Sequence, residues 1–519
     1  MPGDDKAIEQ ARTMWELVEA RASASPEVAA LIESDRELTF AELRDQAERV
    51  AAGLQDLGIG RGTRVTWQLP TRIETVVLSL ALARLAAVQN PILPLYRDRE
   101  VGFVVSQVQA DVFCVPGDWN GFDFVAMAER IAEEHGVHPR VLVTYDDLPE
   151  GDPATLPPAP SDGDEVRWIY YTSGTTSAPK GVQHSDGTLM AGGLGLADAL
   201  ELTADDVGSI AFPYSHIAGP DYLMMLLYRG CGAVLIEAFA LDAAVELFAR
   251  KGATMAGGGP AFYQMYLSKQ RSQPGEPIIP SLRLLSGGGA PKPPEMYTEV
   301  KNEMGIPVCH GYGMTECPMI SQGGPDDSEH QLMYTDGHPV TGCQVRIVTL
   351  DGEVAGTDVD GEVRVKGPMV FKGYTDASLD ADAFDDEGWF RTGDLGHLDD
   401  AGYVVLTGRL KDVIIRKGEN ISAKEIEDLL YQHPKVGDVA VIGLPDRDRG
   451  ERVCAVVETA EGTDPLTFDE MVAYLAEADL MRQKVPEQLE VVDALPRNNT
   501  LGKILKTDLR DQFRDKPWP

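Results

Sequence analysis

The sequence predicts an α/β protein with a large, layered N-terminal domain followed by a smaller α+β domain. Three observations carry this. At about 100–200 residues per domain, 519 residues call for two to four domains. Apolar strand-like runs at 141–143, 167–171 and 233–236 alternate with helical patterns such as 124–134, as expected of sheets covered by helices. The character then changes near residue 408, where short strands with Gly/Asp turns (361–366, 389–394, 403–407) give way to a compact C-terminal unit.

Taken in order, the N-terminus MPGDDKAIEQ is acidic and lacks an apolar signal core. The longest apolar run, 76–88, is interrupted by Arg84 and too short to span a membrane, so it is expected to be a buried helix. Residues 150–164 are rich in Pro, Asp and Gly and read as a surface linker before a strand at 166–171. Beyond 408, Ser422 and Glu425 form a capping-box pattern opening a helix over 423–432, and strands follow at 439–442 and 453–458. Thr467 and Glu470 open another helix in the same way. The domain bounds are accordingly 1–408, a connection at 409–411, and 412–519.

Composition narrows the function classes. With 43% hydrophobic and 25% charged residues, neither global disorder nor a fibrous class fits, and the 52 glycines and 34 prolines show no repeat period. Lys and Arg number 46 against 83 Asp and Glu, a net charge of −37. Such a field repels nucleic acid, so an anionic ligand must be met by a local cluster of donors; the acidity itself fits solubility or a salty habitat. The cysteines at 114, 231, 309, 317, 343 and 454 form no CxxC pair, which suggests neither zinc nor a disulfide framework and points to a reducing, cytoplasmic setting.

The segment from Tyr170 to Val182 carries the most chemistry. A strand feeds the hydroxyl- and glycine-rich run Thr172, Ser173, Gly174, Thr175 and Thr176, and the loop ends at Lys180. Small residues let backbone N–H groups approach an anion, hydroxyls add donors, and lysine adds a point charge. This is phosphate-binding chemistry but not a Walker A loop, because Pro179 and Gly181 stand where Gly and Ser/Thr belong.

This string resembles the phosphate-loop signature of the adenylate-forming (AMP-binding) superfamily, which includes acyl-CoA synthetases, and the resemblance extends in order over nearly the whole chain. Phe212–His216 resembles the substrate-pocket segment. Ser286–Pro291, with Gly289, Ala290 and Pro291, is similar to the adenine-side loop. Gly311-Tyr312-Gly313-Met314-Thr315-Glu316 is similar to the nucleotide and metal segment. Gly388–Asp394 resembles the ribose turn, and Gly408–Asp412 resembles the interdomain hinge. Lys417–Ser422, with Gly418, resembles the thiol-tunnel loop, and Gly502-Lys503 falls where the catalytic lysine is expected. The resemblance implies ATP, Mg²⁺ and CoA as cofactor and co-substrates. It also implies sheets flanked by helices plus a small distorted β-barrel in the N-terminal domain, and a mobile C-terminal lid turning at Lys411.

It also implies roles. Glu316 would coordinate Mg²⁺ with Thr175 nearby, Thr315 would contact the α-phosphate, and Tyr312 would face adenine. Asp394 would take the ribose hydroxyls, with Arg409 a further donor. Lys503 would bridge the attacking carboxylate and the α-phosphate. His216 would wall the acyl pocket; a lone His after a strand is otherwise a satisfied core residue. Tyr222, Met224, Met225 and Tyr228 have core spacing, and Cys317 reads as packing rather than nucleophile. Lys411, Arg416, Lys417 and Lys424 are the visible counter-charge for polyanionic CoA, although a solvated helix start would read the same.

Three positions depart from the family pattern: Ser177 for Gly, His310 for Gln, and a lysine segment one residue longer, in which Lys506 is the nearby rival to Lys503.

The expected activity is an acyl-CoA ligase acting on a medium-chain, alicyclic or similar apolar acid, since no charged residue beyond His216 is assignable to the acyl pocket. The segments 89–96 and 121–124 resemble ligases for acids such as cyclohexanecarboxylate. No carrier domain follows Pro519, which favours CoA over a tethered carrier. The alternatives are an acyl-AMP ligase loading a carrier protein, an oxygenating luciferase, a ligase for steroid side-chain, aryl or long-chain acids, and a non-catalytic adenylate sensor. The partners expected are small molecules, with no nucleic acid, in a monomer or homodimer.

Overall fold

The computed structural model describes residues 4–172, 179–417, 419–447, 449–478, 480–497, 504–514 and 516. These fall into two compact units, one made of the described residues of 1–173, 179–344 and 365–390, the other of those of 345–364 and 391–519.

Three sheets organise the first unit. The central one is six-stranded, in the order Gly181–Ser185, Val166–Tyr171, Val88–Pro91, Arg64–Trp67, Val112–Val115, Arg140–Val143. All its pairings are parallel except the first, an antiparallel hairpin in which Gly181 faces Tyr171. The 167–171 run and the 141–143 run thus lie in one sheet. The hairpin is anchored at its base: Asp186, at the start of the helix Asp186–Ala199, is fully buried and receives Arg167 at 3.0 Å and the Trp168 indole N–H at 3.0 Å. A buried carboxylate needs such donors.

A four-stranded sheet (Val207–Ile210, Gly232–Leu235, Ala29–Ile32, Glu37–Thr39) contains the 233–236 run. A five-stranded sheet runs Met255–Gly258, Leu284–Gly288, Val308–Met314, Cys317–Gln322, His338–Pro339. The helix Ile73–Arg84 is buried at every position, its polar members Glu74, Thr75, Ser79 and Arg84 included, as expected of a mostly apolar helix inside a large domain. The helix Phe124–His135 shows the opposite habit, burying only Phe124, Met127, Ala128 and Ile131, one face at i, i+3, i+4, i+7. Residues 150–164 carry one short 3₁₀ turn, Pro153–Thr155, as a linker should. Among the described residues no helix is long and apolar enough to cross a membrane.

The second unit holds most of a sheet ordered Gln344–Val348, Gly361–Lys366, Phe390–Leu398, Val404–Arg409. This corrects the expected distorted barrel: among the described residues these strands form an open four-stranded sheet, and no closed barrel is present. Farther along the chain comes a mixed sheet of Glu419–Ile421, Ile414–Arg416, Gly450–Thr459 and Val436–Asp446, with Gln488–Val492 parallel to Gly450–Thr459. The helices Ala423–Tyr431 and Phe468–Glu477 pack on it through Ile426, Leu430, Met471 and Leu475. Thr467 and Glu470 complete their capping box. At Ser422 only half forms: its hydroxyl caps Glu425 N–H, while the Glu425 carboxylate turns to Lys484 at 2.6 Å.

Candidate active site

The hairpin between Val166–Tyr171 and Gly181–Ser185 closes at its neck. Thr172 N–H donates to the Lys180 carbonyl at 3.1 Å, and Lys180 N–H donates to Thr172 Oγ1 at 3.3 Å. Ser173, Gly174, Thr175 and Thr176 lie outside the described residues, as does Ser177. Lys180 is half-buried, and its Nζ sits 4.9 Å from the ring centroid of Tyr374.

The same tyrosine reaches the other half of the site. Its Oη donates to Glu316 Oε1 at 2.9 Å, and Glu316 is only 6% exposed. Glu316 leaves the strand Val308–Met314 at a turn closed by the pairing of Met314 with Cys317. Close packing dictates the glycines here. A Cβ on Gly313 would come within 2.0 Å of the Pro318 carbonyl, and one on Gly311 within 2.2 Å of Gln322 Oε1. Between them Tyr312 is buried.

Two histidines brace this region in neutral form, and a third, His216, is held neutral in its own segment. His184 is buried in the hairpin's second strand, and burial lowers its pKa to about 4. Its Nε2–H donates to the Thr315 carbonyl at 2.7 Å; a carbonyl only accepts, which sets the tautomer. Burial and Lys292 lower His310 to about 3, and its Nε2–H donates to the Ala290 carbonyl at 3.0 Å, tying the Gly289-Ala290-Pro291 loop to the strand Val308–Met314. His216 precedes the helix Ala218–Arg229; burial lowers it to about 4, and its Nδ1 accepts the Ala218 N–H at 3.3 Å. Tyr222, Met224 and Met225 on that helix are buried in the main core, and Tyr228 packs against it. Burial drives the Cys317 thiol well above its ordinary pKa, the state of a packing residue rather than a nucleophile.

Asp394 and Arg409 belong to the second unit. Asp394 is 6% exposed; its N–H donates to Thr392 Oγ1, which in turn donates to the Val363 carbonyl. Lys411 lies in the 3₁₀ turn Leu410–Asp412, where loss of solvation and then the Arg409 charge lower its pKa. Lys417 adopts φ of +52°, an uncommon conformation for a side-chain-bearing residue, and its N–H donates to the Arg449 carbonyl. Gly418 and Lys503 lie outside the described residues. Of the four expected counter-charges, Arg416 is paired with Glu487 and Lys424 with Asp428, each at 2.5 Å. Lys506, the rival to Lys503, is engaged 2.7 Å from Glu427.

Sequence reasoning missed Tyr374 and His184. Tyr374 sits in an irregular stretch after Gly373, and its one signal is an aromatic ring where a polar loop residue is expected. His184 lies four residues beyond Lys180 on a strand, where alternation predicts only burial.

Magnesium takes one or two carboxylates with phosphate oxygens rather than an all-protein cage. Among the described residues no group of three or more His, Cys, Asp or Glu is placed to hold a metal, and a single buried carboxylate at Glu316 fits that donor set.

The chain is similar to known proteins over most of its length. Residues 18–375 match the AMP-binding enzyme family, and residues 425–503 match the AMP-binding enzyme C-terminal domain. A medium-chain fatty-acid–CoA ligase of Escherichia coli (strain K12) is 32% identical over 94% of this chain and 88% of its own. A salicyl-AMP ligase / salicyl-S-ArCP synthetase of Mycobacterium tuberculosis is 33% identical over 90% and 84%. The structure of an O-succinylbenzoate coenzyme A synthetase from Bacillus subtilis in complex with ATP and magnesium ion superposes with a TM-score of 0.82 at 29% identity, covering 96% of this chain and 99% of that one. The chain therefore belongs to the AMP-binding enzyme family, in its acyl-CoA ligase branch, and is a ligase that uses ATP, magnesium and CoA.

Proposed function

We propose that this ligase activates an apolar carboxylic acid, medium-chain or alicyclic, as its acyl-adenylate and passes the acyl group to CoA. In the first step a carboxylate oxygen attacks the α-phosphorus of ATP and pyrophosphate leaves. In the second the thiol sulfur attacks the acyl carbonyl carbon, losing its proton, and AMP leaves. Anion attacks anion in the first step, so charge neutralisation is the main catalytic need. Lys180 and the Thr172–Thr176 loop take the terminal phosphates, Thr315 the α-phosphate, Tyr312 and the Gly289–Pro291 loop the adenine, and Asp394 with Arg409 the ribose. Glu316 holds the magnesium ion, which when bound neutralises phosphate charge. Lys503 bridges the acid and the α-phosphate.

The observation that carries the reading is the contact chain Lys180–Tyr374–Glu316, a phosphate-competent cation and a metal-competent carboxylate on two sides of one phenol. For the acyl side the support is a neutral His216 beside a helix that buries Tyr222, Met224 and Met225; Asp221 on the same helix is buried too, and burial pushes its carboxyl well above the ordinary range, toward the neutral form. In this reading residues 412–519 turn about Lys411 between the two steps, and CoA enters past Lys417 and Gly418.

The salicyl-AMP relative favours a second reading, an aryl acid delivered to a carrier protein. Pyrophosphate release over a panel of short, medium, alicyclic, aromatic and steroid acids, each with CoA, with an acyl carrier and with neither, separates the two. A best substrate of about six to ten carbons, with thioester formed on CoA, supports the first; each buried methylene is worth about 0.8 kcal/mol. Acetate or a long-chain acid as best substrate defeats it, and salicylate with thioester only on the carrier establishes the second.

A further inference from the structure

We propose that Tyr374 is a positioning residue that binds Glu316 and Lys180 into one electrostatic unit, so that metal and triphosphate are held at a set spacing. The inference rests on the reading of Glu316 as metal ligand and Lys180 as phosphate ligand. It adds a residue that belongs to neither motif.

Two different parts of one side chain do the work. The hydroxyl donates to Glu316 Oε1 at 2.9 Å, and the ring lies under Lys180 Nζ at 4.9 Å, inside the range in which an ammonium is attracted to an aromatic face. A largely buried carboxylate needs donors to stay ionised, and a hydrogen bond to a charged acceptor is stronger and shorter than a neutral one. A phenol donor also fixes direction: with one lone pair of Oε1 engaged, the carboxylate plane is set. On the other side, an ammonium on a four-carbon stem has many rotamers, and a ring beneath it selects those near the hairpin neck.

Tyr374 is itself held from several directions, as a positioning residue must be. Its N–H donates to Asp380 Oδ1 at 2.8 Å, and its carbonyl accepts from Gln183 Nε2 at 2.7 Å. It forms a bridge with Val182, two residues from Lys180. Phe371 packs edge-on against its ring at 4.8 Å, and the Phe371 N–H donates to the Glu316 carbonyl at 2.9 Å. The segment 371–375 thus clips the phosphate hairpin to the metal turn, and Tyr374 is the point where both side chains meet it. Tyr374 makes these two contacts over sequence separations of 58 and 194 residues.

The test compares Tyr374→Phe, which removes the hydroxyl and keeps the ring, with Tyr374→Leu, which removes both, and with Glu316→Gln. The readouts are Mn²⁺ binding in the presence of ATP, followed by electron paramagnetic resonance, ATP binding without divalent metal, followed by calorimetry, and the magnesium dependence of adenylation. Tyr374→Phe is expected to weaken Mn²⁺ binding about tenfold, a scale set by the loss of one hydrogen bond to a charged group. Its metal-free ATP affinity should stay within about twofold, and its adenylation rate should fall mainly at low magnesium and recover at high. Tyr374→Leu should in addition weaken metal-free ATP binding by a few-fold, the share of the Lys180 contact. Wild-type Mn²⁺ affinity in Tyr374→Phe, with that affinity lost in Glu316→Gln, overturns the proposal and leaves the reading of Glu316 standing. Unchanged Mn²⁺ affinity in Glu316→Gln overturns that reading and the proposal with it. Should Tyr374→Leu fail to fold, Tyr374→Phe decides alone.

Discussion

Arg409 Nε lies 3.1 Å from Asp394 Oδ1, and the two residues are direct register partners on antiparallel strands. Direct cross-strand partners have close Cβ atoms, so the pairing needs no long reach. The carboxylate is the buried member and the guanidinium the exposed one, 9% against 38% by side chain. The pair therefore presents an anion whose backbone is fixed by Thr392 next to a cation open to ligand.

That arrangement predicts a separation of binding from stability. Asp394→Asn keeps the shape and removes the second strong acceptor, so ATP affinity should fall about 10- to 100-fold, one or two hydrogen bonds between ribose and a charged group. The thermal midpoint should move by only a few degrees. Calorimetric ATP titration beside a thermal melt checks both; a large drop in midpoint with ATP affinity intact would assign Asp394 a structural role.

Glu316→Gln should lower adenylation by about 10²-fold or more, as for loss of one preorganised stabiliser of transition-state charge. Tyr374 then faces an amide oxygen that still accepts its hydrogen bond, so folding should be spared. Acid-dependent pyrophosphate exchange measured across magnesium concentrations is the check. A wild-type rate with wild-type metal dependence contradicts the assignment.

Lys506 and Lys503 should behave oppositely. Removing Lys506 strands Glu427, whose carboxyl burial already pushes its pKa upward and whose Oε1 also accepts the Val441 N–H. Lys506→Met should therefore destabilise the protein by about 3–5 kcal/mol at most, the cost of breaking a buried pair by one partner. Lys503→Ala should leave urea midpoints near wild type and cost adenylation about 10²–10³-fold. It should still convert supplied acyl-AMP and CoA to thioester, whereas Lys411→Pro should adenylate and then stall. Equal damage to both half-reactions in either Lys503→Ala or Lys411→Pro would contradict a turning C-terminal segment.

His184 and His310 make stability depend on pH. Burial leads both shifts, with Lys372 acting in the same direction at His184 and Lys292 at His310; the Thr315 and Ala290 carbonyls oppose. Their folded pKa values, about 4 and about 3, lie below the unfolded value of about 6.5, so the unfolded chain binds more protons in between. Stability from these groups is complete above about pH 6.5 and is lost as pH falls below it, by up to about 1.4 kcal/mol per unit for each. Urea midpoints at pH 7, 6 and 5 should fall less steeply in His310→Gln than in wild type; parallel curves would refute the assignment.

Much of this was legible in the residues because it is local. The strand Gly361–Lys366 lies where its Gly/Asp-bounded run puts it, and the helix opened by Thr467 and Glu470 follows its cap. The glycines of the 311–316 segment are explained by distances of 2.0–2.2 Å that a Cβ would meet. What was not legible depends on partners far away in sequence. Tyr374 meets Glu316 across 58 residues, and His184 meets Thr315 across 131. The basic cluster at 411–424 looked like free counter-charge, but Glu487 arrives from another strand connection to pair with Arg416. The Ser422 cap is half a box because Lys484, 59 residues on, competes for Glu425. Closure of a barrel likewise depends on strand count and shear, which no single run of residues encodes.

The central claim is that the acid is activated by bonding its own oxygen to the α-phosphorus. Supplying the best acid labelled with ¹⁸O in its carboxylate, together with ATP, magnesium and CoA, and then taking the mass spectrum of the nucleotide product tests it directly. The account predicts AMP carrying one ¹⁸O atom, with unlabelled pyrophosphate. Unlabelled AMP, or label recovered in inorganic phosphate beside ADP, would contradict it.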